Sequence, residues 1–387
     1  MYKRKTLIYK ILLFVFAVLV FVFPSRDNPS IEEKALVTVL GLDKQDDKLV
    51  VSLEQTVATQ KKEGGAELLT FDASGEDCPK ALSVLTQKSG NEIELSHCGV
   101  MIIGEQLAIE GFSQHLDYLL SAGLISPQIT LLTCEGKVTD FMSKLNEFSL
   151  INGSGLNDVV NYSDRSAFVK VTSALKFLSE SNLPSATCSI PVVRFDGEAE
   201  GGISGSGESS DSKGPMLDTL SHAALFKNGK LVGKLSEKAT KGVAILDKRS
   251  DSGYFDINDV SINDKTVTVP AGIKSKSSKL KASLDDEPVL IVVADFVIET
   301  KSKTSIYDKK HNVNEKEIKE TLANRAEQII KEQIESALTE SRKCGCDVLG
   351  IKNAFYKQCG KQYKFYGNKE DLLHKVQIKY KINTKIV

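Results

Sequence analysis

Two periods of apolar and polar residues run along this chain, and their order lays out its elements. Leu36–Leu42 and Leu49–Gln55 are rich in β-branched residues, with the charged stretch "DKQDDK" between them, which predicts two strands and a hairpin over Gly41 to Lys48. "CPKALSVLTQKS" places Ala81, Leu82 and Leu85 on one face of a helix. Val100–Ile103 is a continuous apolar run of buried-strand type, followed by a Gly-Glu turn. Leu107, Phe112, Leu116, Leu119 and Leu120 then recur near the helical period. "PQITLLTCEG" reads as a second buried strand and "KVTDFMSKL" as a second helix. A helix from about Arg165 to Glu180 and a strand over "ATCSIPVVRF" follow. Strands alternating with helices indicate an α/β layer with some parallel pairing.

Residues 197–214, "GEAEGGISGSGESSDSKG", break the pattern: they are acidic, rich in Gly and Ser, and carry no apolar period, as expected of a linker. Beyond them "HAALFKNGKLVGKLS" is a hairpin with Asn228-Gly229 suited to a type I′ turn, and Ser236 is placed to cap a short helix. A short run around Val267 and Val269, "PVLIVVADFVIET" and the terminal "KVQIKYKINTKIV" supply further strands. In the last, Val376, Ile378, Tyr380 and Ile382 alternate with polar residues, so one face is buried and one is wet. A long helix lies between the last two strands, with Asn314 as N-cap, Glu317 in a capping box, and a stripe of Ile318, Leu322, Ile329, Ile330, Ile334 and Leu338. Glu315–Lys319 and Glu327–Lys331 add i,i+4 pairs, and Gly345 suits the helix's C-terminal stop.

The expected fold is α/β (α+β) and multi-domain, with mixed sheets packed against helices and a membrane helix in front. The domain plan is a membrane anchor or uncleaved signal over 1–24, an N-terminal α/β domain over 30–145, a middle region with the Gly/Ser-rich linker over 146–216, and a C-terminal α+β domain with the long helix over 217–387. The membrane segment rests on "ILLFVFAVLVFVF", thirteen apolar residues from Ile11 to Phe23, preceded by Lys3, Arg4 and Lys5. Counted from Leu7, and including Phe14, Phe16 and Val20, the run would span about 25 Å as a helix, the short end of a bilayer crossing. It ends in "VFVFPSRD", without the small residues of a cleavage site, which favours an uncleaved anchor over a processed signal. The basic N-terminus then stays inside, and the rest of the chain lies outside the cytoplasm.

The 387 residues are 41% hydrophobic with a formal net charge of −1, which argues against a general nucleic-acid binder. The excess of charge is local. Residues 301–387 hold 17 Lys and 2 Arg against 11 acidic residues, which reads as a solvated basic face or as a surface near anionic lipid or an acidic partner. Seven cysteines leave at least one unpaired. Cys344, Cys346 and Cys359 lack a fourth ligand at zinc-finger spacing, so the readings are a disulfide to Cys359, free thiols or, least of all, a metal cluster. His97 beside Cys98 could activate a thiolate, but neighbours on a strand point to opposite faces. Asp43, Lys44, Asp46 and Asp47 resemble a calcium loop without its Gly and terminal Glu. No phosphate loop, zinc-protease helix or nucleophile elbow occurs. No catalytic residue and no cofactor are expected.

Several stretches together resemble one family. "ALVTVLGLDKQDDKLVVSLEQ", with Gly41, Asp43 and Lys44, is similar to the first strand pair of the Ger(x)C family, the C-subunits of spore germinant receptors. "HCGVMIIGEQLAIEGFSQHLDYLLSAGLISPQITLLTCEGKVTDFM", with Gly104 and Glu105, resembles its strand–Gly-Glu–helix segment. "ALFKNGKLVGKLSEKATKGVAIL" looks like the hairpin and short helix opening its C-terminal portion, and "CDVLGIKNAFYKQ", with Asp347 and Gly350, like its Asp-hydrophobic-x-Gly turn. The resemblance implies a non-enzymatic, membrane-tethered subunit outside the spore's inner membrane. Its partners would be an integral-membrane B-type subunit and an A-type subunit, with a small-molecule nutrient sensed by the complex. Family members are usually lipoproteins; here the first cysteine is Cys78, so the Leu7–Phe23 helix would have to be the tether. An anchored extracytoplasmic module binding a solute or cell-wall component is the alternative.

Overall fold

The structure is a computed structural model describing residues 13–14, 34–58, 66–147, 153–196, 216–218, 220–248, 250, 252–262, 265–285, 287–300, 315–366 and 371–387. Of the expected anchor, Leu13 and Phe14 are helical and exposed; Leu7, Ile11, Phe16, Val20 and Phe23 lie outside the described residues, as do the Gly/Ser-rich stretch and Asn314. No described helix is long and apolar enough to cross a membrane.

The first strand pair is β1 (Lys34–Gln45) and β2 (Lys48–Ala58), joined at Asp46 and Asp47. Both turn residues have positive φ, 47° and 60°, the backbone that a tight hairpin requires and that Asp tolerates. The chain continues through β3 (Ala66–Gly75), α1 (Cys78–Ser89), β4 (Glu92–Glu94), β5 (Val100–Gly104), α2 (Glu105–Glu110), α3 (Ser113–Ser121), β6 (Thr130–Cys134) and α4 (Val138–Glu147). Gly111, at φ 101°, separates α2 from α3. Next come α5 (Gly153–Arg165), β7 (Thr172–Ser173), α6 (Ala174–Ser181), β8 (Thr187–Asp196), β9 (Met216–Asp218), β10 (Ala223–Lys227), β11 (Lys230–Leu235) and α7 (Glu237–Ala244). Of the helix expected over Arg165 to Glu180 only the second half, α6, is helical; α5 ends at Arg165, and a turn and β7 lie between. Asp164 accepts a hydrogen bond from Val171 N (2.8 Å) and folds the chain back, and Ser173 caps the second helix.

These strands form one sheet, in the order β11-β10-β8-β6-β5-β1-β2-β3, with β4, β7 and β9 alongside. Its centre, β1-β5-β6-β8, is parallel and both edges are antiparallel hairpins. The expected boundary at 217 falls inside this sheet, because β10 and β11 extend it beyond β8. The expected middle region contributes β8, a central strand, for the same reason. Helices cover both faces. Met101 and Ile103 face one core with α1, α3 and α6, where Phe112, Phe177 and Phe226 pack ring to ring at 4.7–5.7 Å. Val100 and Ile102 face the other with α4, α5 and α7. A bulge between Val37 and Val39 breaks the alternation of β1, so these two residues enter opposite cores.

The second sheet is β12 (Gly253–Ile262), β13 (Lys265–Ser283), β14 (Val289–Thr300) and β15 (Gln377–Ile386), in that order, with β15 parallel to β14. One face carries α8 (Glu315–Lys343), α9 (Ile351–Phe365) and α10 (Leu372–Lys375). The expected α8 stripe is buried except for Ile329, which is half-buried. Glu315 pairs with Lys319 at 3.0 Å, whereas Glu327 accepts from Thr384 N (2.8 Å) and Lys331 lies near Glu335. Gly345 N and Cys346 N bond back to Arg342 O and Ser341 O, the Schellman ending of α8.

The two sheets meet where α7 lies on α8. A methyl group on Gly242 would sit 2.1 Å from the carbonyl oxygen of Gln333, so the main chains touch. Ser236, the N-cap of α7, gives both its N–H (2.8 Å) and its hydroxyl (2.6 Å) to Glu340. Ala337, Cys346 and Val348, from the second half of the chain, belong to the core under the first sheet. Gly242→Ala is expected to cost about 2 kcal/mol through overpacking. Equilibrium denaturation of the detergent-solubilised protein measures it, and an unchanged midpoint would contradict the close approach.

Candidate functional site

Gly41, Asp43, Lys44, Gly104 and Glu105 come together where parallel strands β1, β5 and β6 end. Asp43 is 2% exposed, although it ends a strand in a charged stretch. Its Oδ2 accepts from Val138 N, the first residue of α4, at 3.1 Å, and its Oδ1 from Lys44 N at 2.8 Å. The carboxylate thus caps a helix that begins 95 residues later in the chain. Two glycines make room for this. A Cβ at Gly104 would lie 2.2 Å from Asp43 Oδ1, and one at Gly41 would lie 2.4 Å from Val138 Cγ1. Burial, more than any other influence, raises the Asp43 pKa, and the bonds from Val138 N and Lys44 N oppose it.

The outer members of the cluster are ion pairs. Lys44 bonds to Glu110 and lies 3.3 Å from Asp47; the hydrogen bond between Lys44 and Glu110 is the main cause of the rise in one pKa and the fall in the other. Glu105 accepts from Lys234 Nζ (3.1 Å), which lowers its pKa, and Lys234 also reaches Glu135 (3.0 Å). This is the rim where α/β sheets commonly hold ligands, and a cavity of about 440 Å³ lies between Asp43, Lys44, Glu105 and Lys137. Lys44 and Glu105 on its wall are paired with Glu110 and Lys234 outside it, not with each other. Cys134 lies near the same rim, but burial pushes its pKa to about 12, so it stays a thiol.

Asp347 and Gly350 sit at the opposite end of the parallel strands, beside the start of β8. Asp347 is 3% exposed and accepts from Ile351 N and Lys352 N, both at 2.7 Å, capping α9. Its own N–H donates to Thr187 Oγ1 at 3.1 Å, and Asn353 exchanges two hydrogen bonds with Ser185 (2.7 and 3.0 Å). Gly350 turns the chain with φ 72°. The motif positions thus form two clusters at opposite ends of the central parallel strands, each closing a joint between elements distant in sequence. The sequence reading missed Val138, Thr187, Ser185 and Gly242 because nothing local marks them; only the fold supplies their partners.

The remaining chemical candidates separate. His97 is exposed while Cys98 is buried, with Sγ 3.2 Å from Val100 O and its pKa raised to about 12 by burial. All seven cysteines are free; Cys346 is buried under the first sheet and Cys359 contacts Ala282 O, so neither pairs with Cys344. Among the described residues no three His, Cys, Asp or Glu side chains converge on a metal position.

Removing the Asp43 carboxylate (Asp43→Ala) orphans a buried helix N–H and should cost about 2 kcal/mol in a denaturation experiment. Asp347 gives a pH signature. Burial, its largest influence, raises the pKa above the ordinary 3.8, against the bonds from Lys352 N and Ile351 N and the Lys352 charge. The folded state then holds this proton more tightly than the unfolded chain. Its stabilising contribution therefore falls as pH rises from 3.8 through the raised folded value. Asp347→Asn does not titrate there, so its stability deficit against wild type should shrink as pH rises above 3.8. Melting temperatures of both proteins across that range test this; a constant deficit would contradict it.

Residues 27–195 match the family described as spore germination protein N-terminal domain, and residues 221–387 match that described as spore germination B3/GerAC-like, C-terminal. A comparison with curated proteins finds no match. Among solved structures the chain is similar to the crystal structure of the GerBC protein, with a TM-score of 0.50 and 14% identity, covering 90% of this chain and 96% of that one. At that identity the likeness speaks for the fold. The two family matches run through both sheets and cover most of the sequence, so the chain belongs to the GerAC family of spore germination proteins, the C-subunits of germinant receptors.

Proposed function

We propose that this protein is a non-enzymatic, membrane-tethered subunit of a nutrient germinant receptor, acting by contact with A-type and integral-membrane B-type subunits. The observation that carries the reading is how the motif residues are used. Asp43, Gly41 and Gly104 seat α4, Asp347 seats α9 against β8, and Lys44 and Glu105 face partners within the chain. Their work is internal and architectural: it fixes helices to the sheets and leaves the outer surfaces to meet other molecules. A family trait consisting of joints rather than reactive groups suits a docking subunit.

The run from Leu7 to Phe23 would hold this body to the spore's inner membrane from the extracytoplasmic side, in place of the lipid that a cysteine would carry. Nutrient perception would then be a property of the complex. Spores lacking this chain should lose germination triggered by nutrients and keep germination triggered independently of them. An unaltered nutrient response would refute the proposal. Affinity isolation of the tagged full chain from dormant-spore membranes should bring down a multi-span membrane protein, and its absence from the isolate would count against the contact mechanism.

A further inference from the structure

Beside the α7–α8 seam the two halves do not close on each other. They leave an open cleft of about 690 Å³, within the size range of small-molecule sites. One wall is α6 and the start of β8; the other is β13 and α9, with the turn after α7 at one end. Six lysines line it: Lys170, Lys176, Lys248, Lys279, Lys281 and Lys357.

The carboxylates in the cleft are already engaged. Glu180 lies 3.2 Å from Lys170 and 3.9 Å from Lys176, and Asp247 lies 3.5 Å from Lys176. Burial works against the Lys170 ammonium, but the charges of Glu180 and Asp247 help to outweigh it, and its pKa is raised. Asp347 turns both oxygens to the N-terminus of α9. Lys248, Lys279, Lys281 and Lys357 remain, and they form no ion pair or side-chain hydrogen bond among the described residues. These four come from three separate elements. Two of those elements are fixed to each other: Gln358, next to Lys357, donates to Leu280 O (2.7 Å) and accepts from Ala282 N (2.9 Å), along the edge of β13 that β12 leaves uncovered. The backbone bonds hold the lysine-bearing segments side by side, whatever the repulsion between their charges.

Uncompensated cations on concave, partly apolar walls focus a positive potential inside the cleft, and such a potential collects anions. We infer that the cleft between the two halves is a binding site for a small multivalent oxyanion, a polycarboxylate or a phosphorylated molecule, held by Lys248, Lys279, Lys281 and Lys357. A ligand there would touch both halves of the molecule. The site is independent of the docking role proposed above, because binding is read without partners or spores.

The test uses the detergent-solubilised full chain and calorimetric titration with citrate or pyrophosphate at constant ionic strength, with chloride and acetate as controls. At least one of the two multivalent anions should bind, and the quadruple variant K248Q/K279Q/K281Q/K357Q should bind at least tenfold more weakly. All four side chains are exposed, so the variant should melt as the wild type does. The triple variant K379Q/K381Q/K385Q removes three exposed lysines of β15, none of them lining the cleft, and should bind as wild type does. Binding of citrate alone identifies a carboxylate ligand and of pyrophosphate alone a phosphate ligand; binding of both makes charge number the criterion. No binding of either overturns the inference, as does an equal loss in the β15 variant, which would mark diffuse surface charge.

Discussion

The close approach of α7 to α8 governs this molecule. With no side chain at Gly242, the two helices meet main chain to main chain, and the neighbouring polar groups fall into register. Glu340 reaches the N-cap of α7, Lys238 reaches Glu332 at 3.0 Å, and Val348 enters the core under the first sheet. Hydrophobic burial then runs continuously from one sheet to the other, so neither half has a complete core without its neighbour. The family's division of the sequence near residue 221 is therefore not a division of the sheets, since β10, β11 and α7 belong to the first half in space.

Both buried aspartates obey one physical rule. An ionised carboxylate out of water is costly unless hydrogen bonds replace its hydration, and a helix N-terminus supplies unpaired N–H groups together with a favourable dipole. Asp43 and Asp347 each use such a terminus, and burial still outweighs it in both pKa values. The folded protein tolerates that cost because each carboxylate fixes the position of a whole helix. A glycine stands beside each: Gly104 because Asp43 fills the space of its Cβ, Gly350 because the chain turns left-handed before α9. Such Gly–Asp spacing is a sequence signature whose meaning is geometric.

That explains what could be read before the fold was known. Local devices were legible. Asn228-Gly229 forms the hairpin with φ of 51° and 78°, Ser236 caps α7, and the apolar runs of β5 and β6 are buried along their whole length. The resemblance at Gly41 to Lys44 was legible because those residues are contiguous, but their function was not, because Val138 stands far along the chain. Strand β13 shows the opposite failure. Its second half, "KSKSSKLKAS", lies beyond the short run expected around Val267 and Val269, yet it continues as strand against β14. Lys276 is drawn inward to carbonyls of Ala244 and Ile245, and Ser278 to that of Leu246. Tertiary hydrogen bonds thus overrode a composition poor in β-branched residues. The lysines of the cleft were visible only as part of a basic composition, since three elements must fold before they converge.

The seam and the cleft together determine how this body can deform. On the α7–α8 side, opening would separate touching main chains and expose a shared core, so that side acts as the fixed axis. On the cleft side the halves are joined by polar contacts, Thr187 with Asp347 N, Ser185 with Asn353, and Lys276 with the end of α7, beside the apolar packing of Leu246, Val348 and Leu349. Each such bond exchanges with water at a net cost near 1 kcal/mol, far below that of exposing packed apolar surface. A change in the width of the cleft would therefore turn about the α7–α8 axis. An anion held between Lys357 of α9 and Lys248 beyond α7 would resist that motion by contact with both sides. Whatever docks across the two halves would then meet a surface whose shape depends on the occupancy of the cleft. On the docking role proposed above, occupancy of the cleft would change what the neighbouring molecules touch.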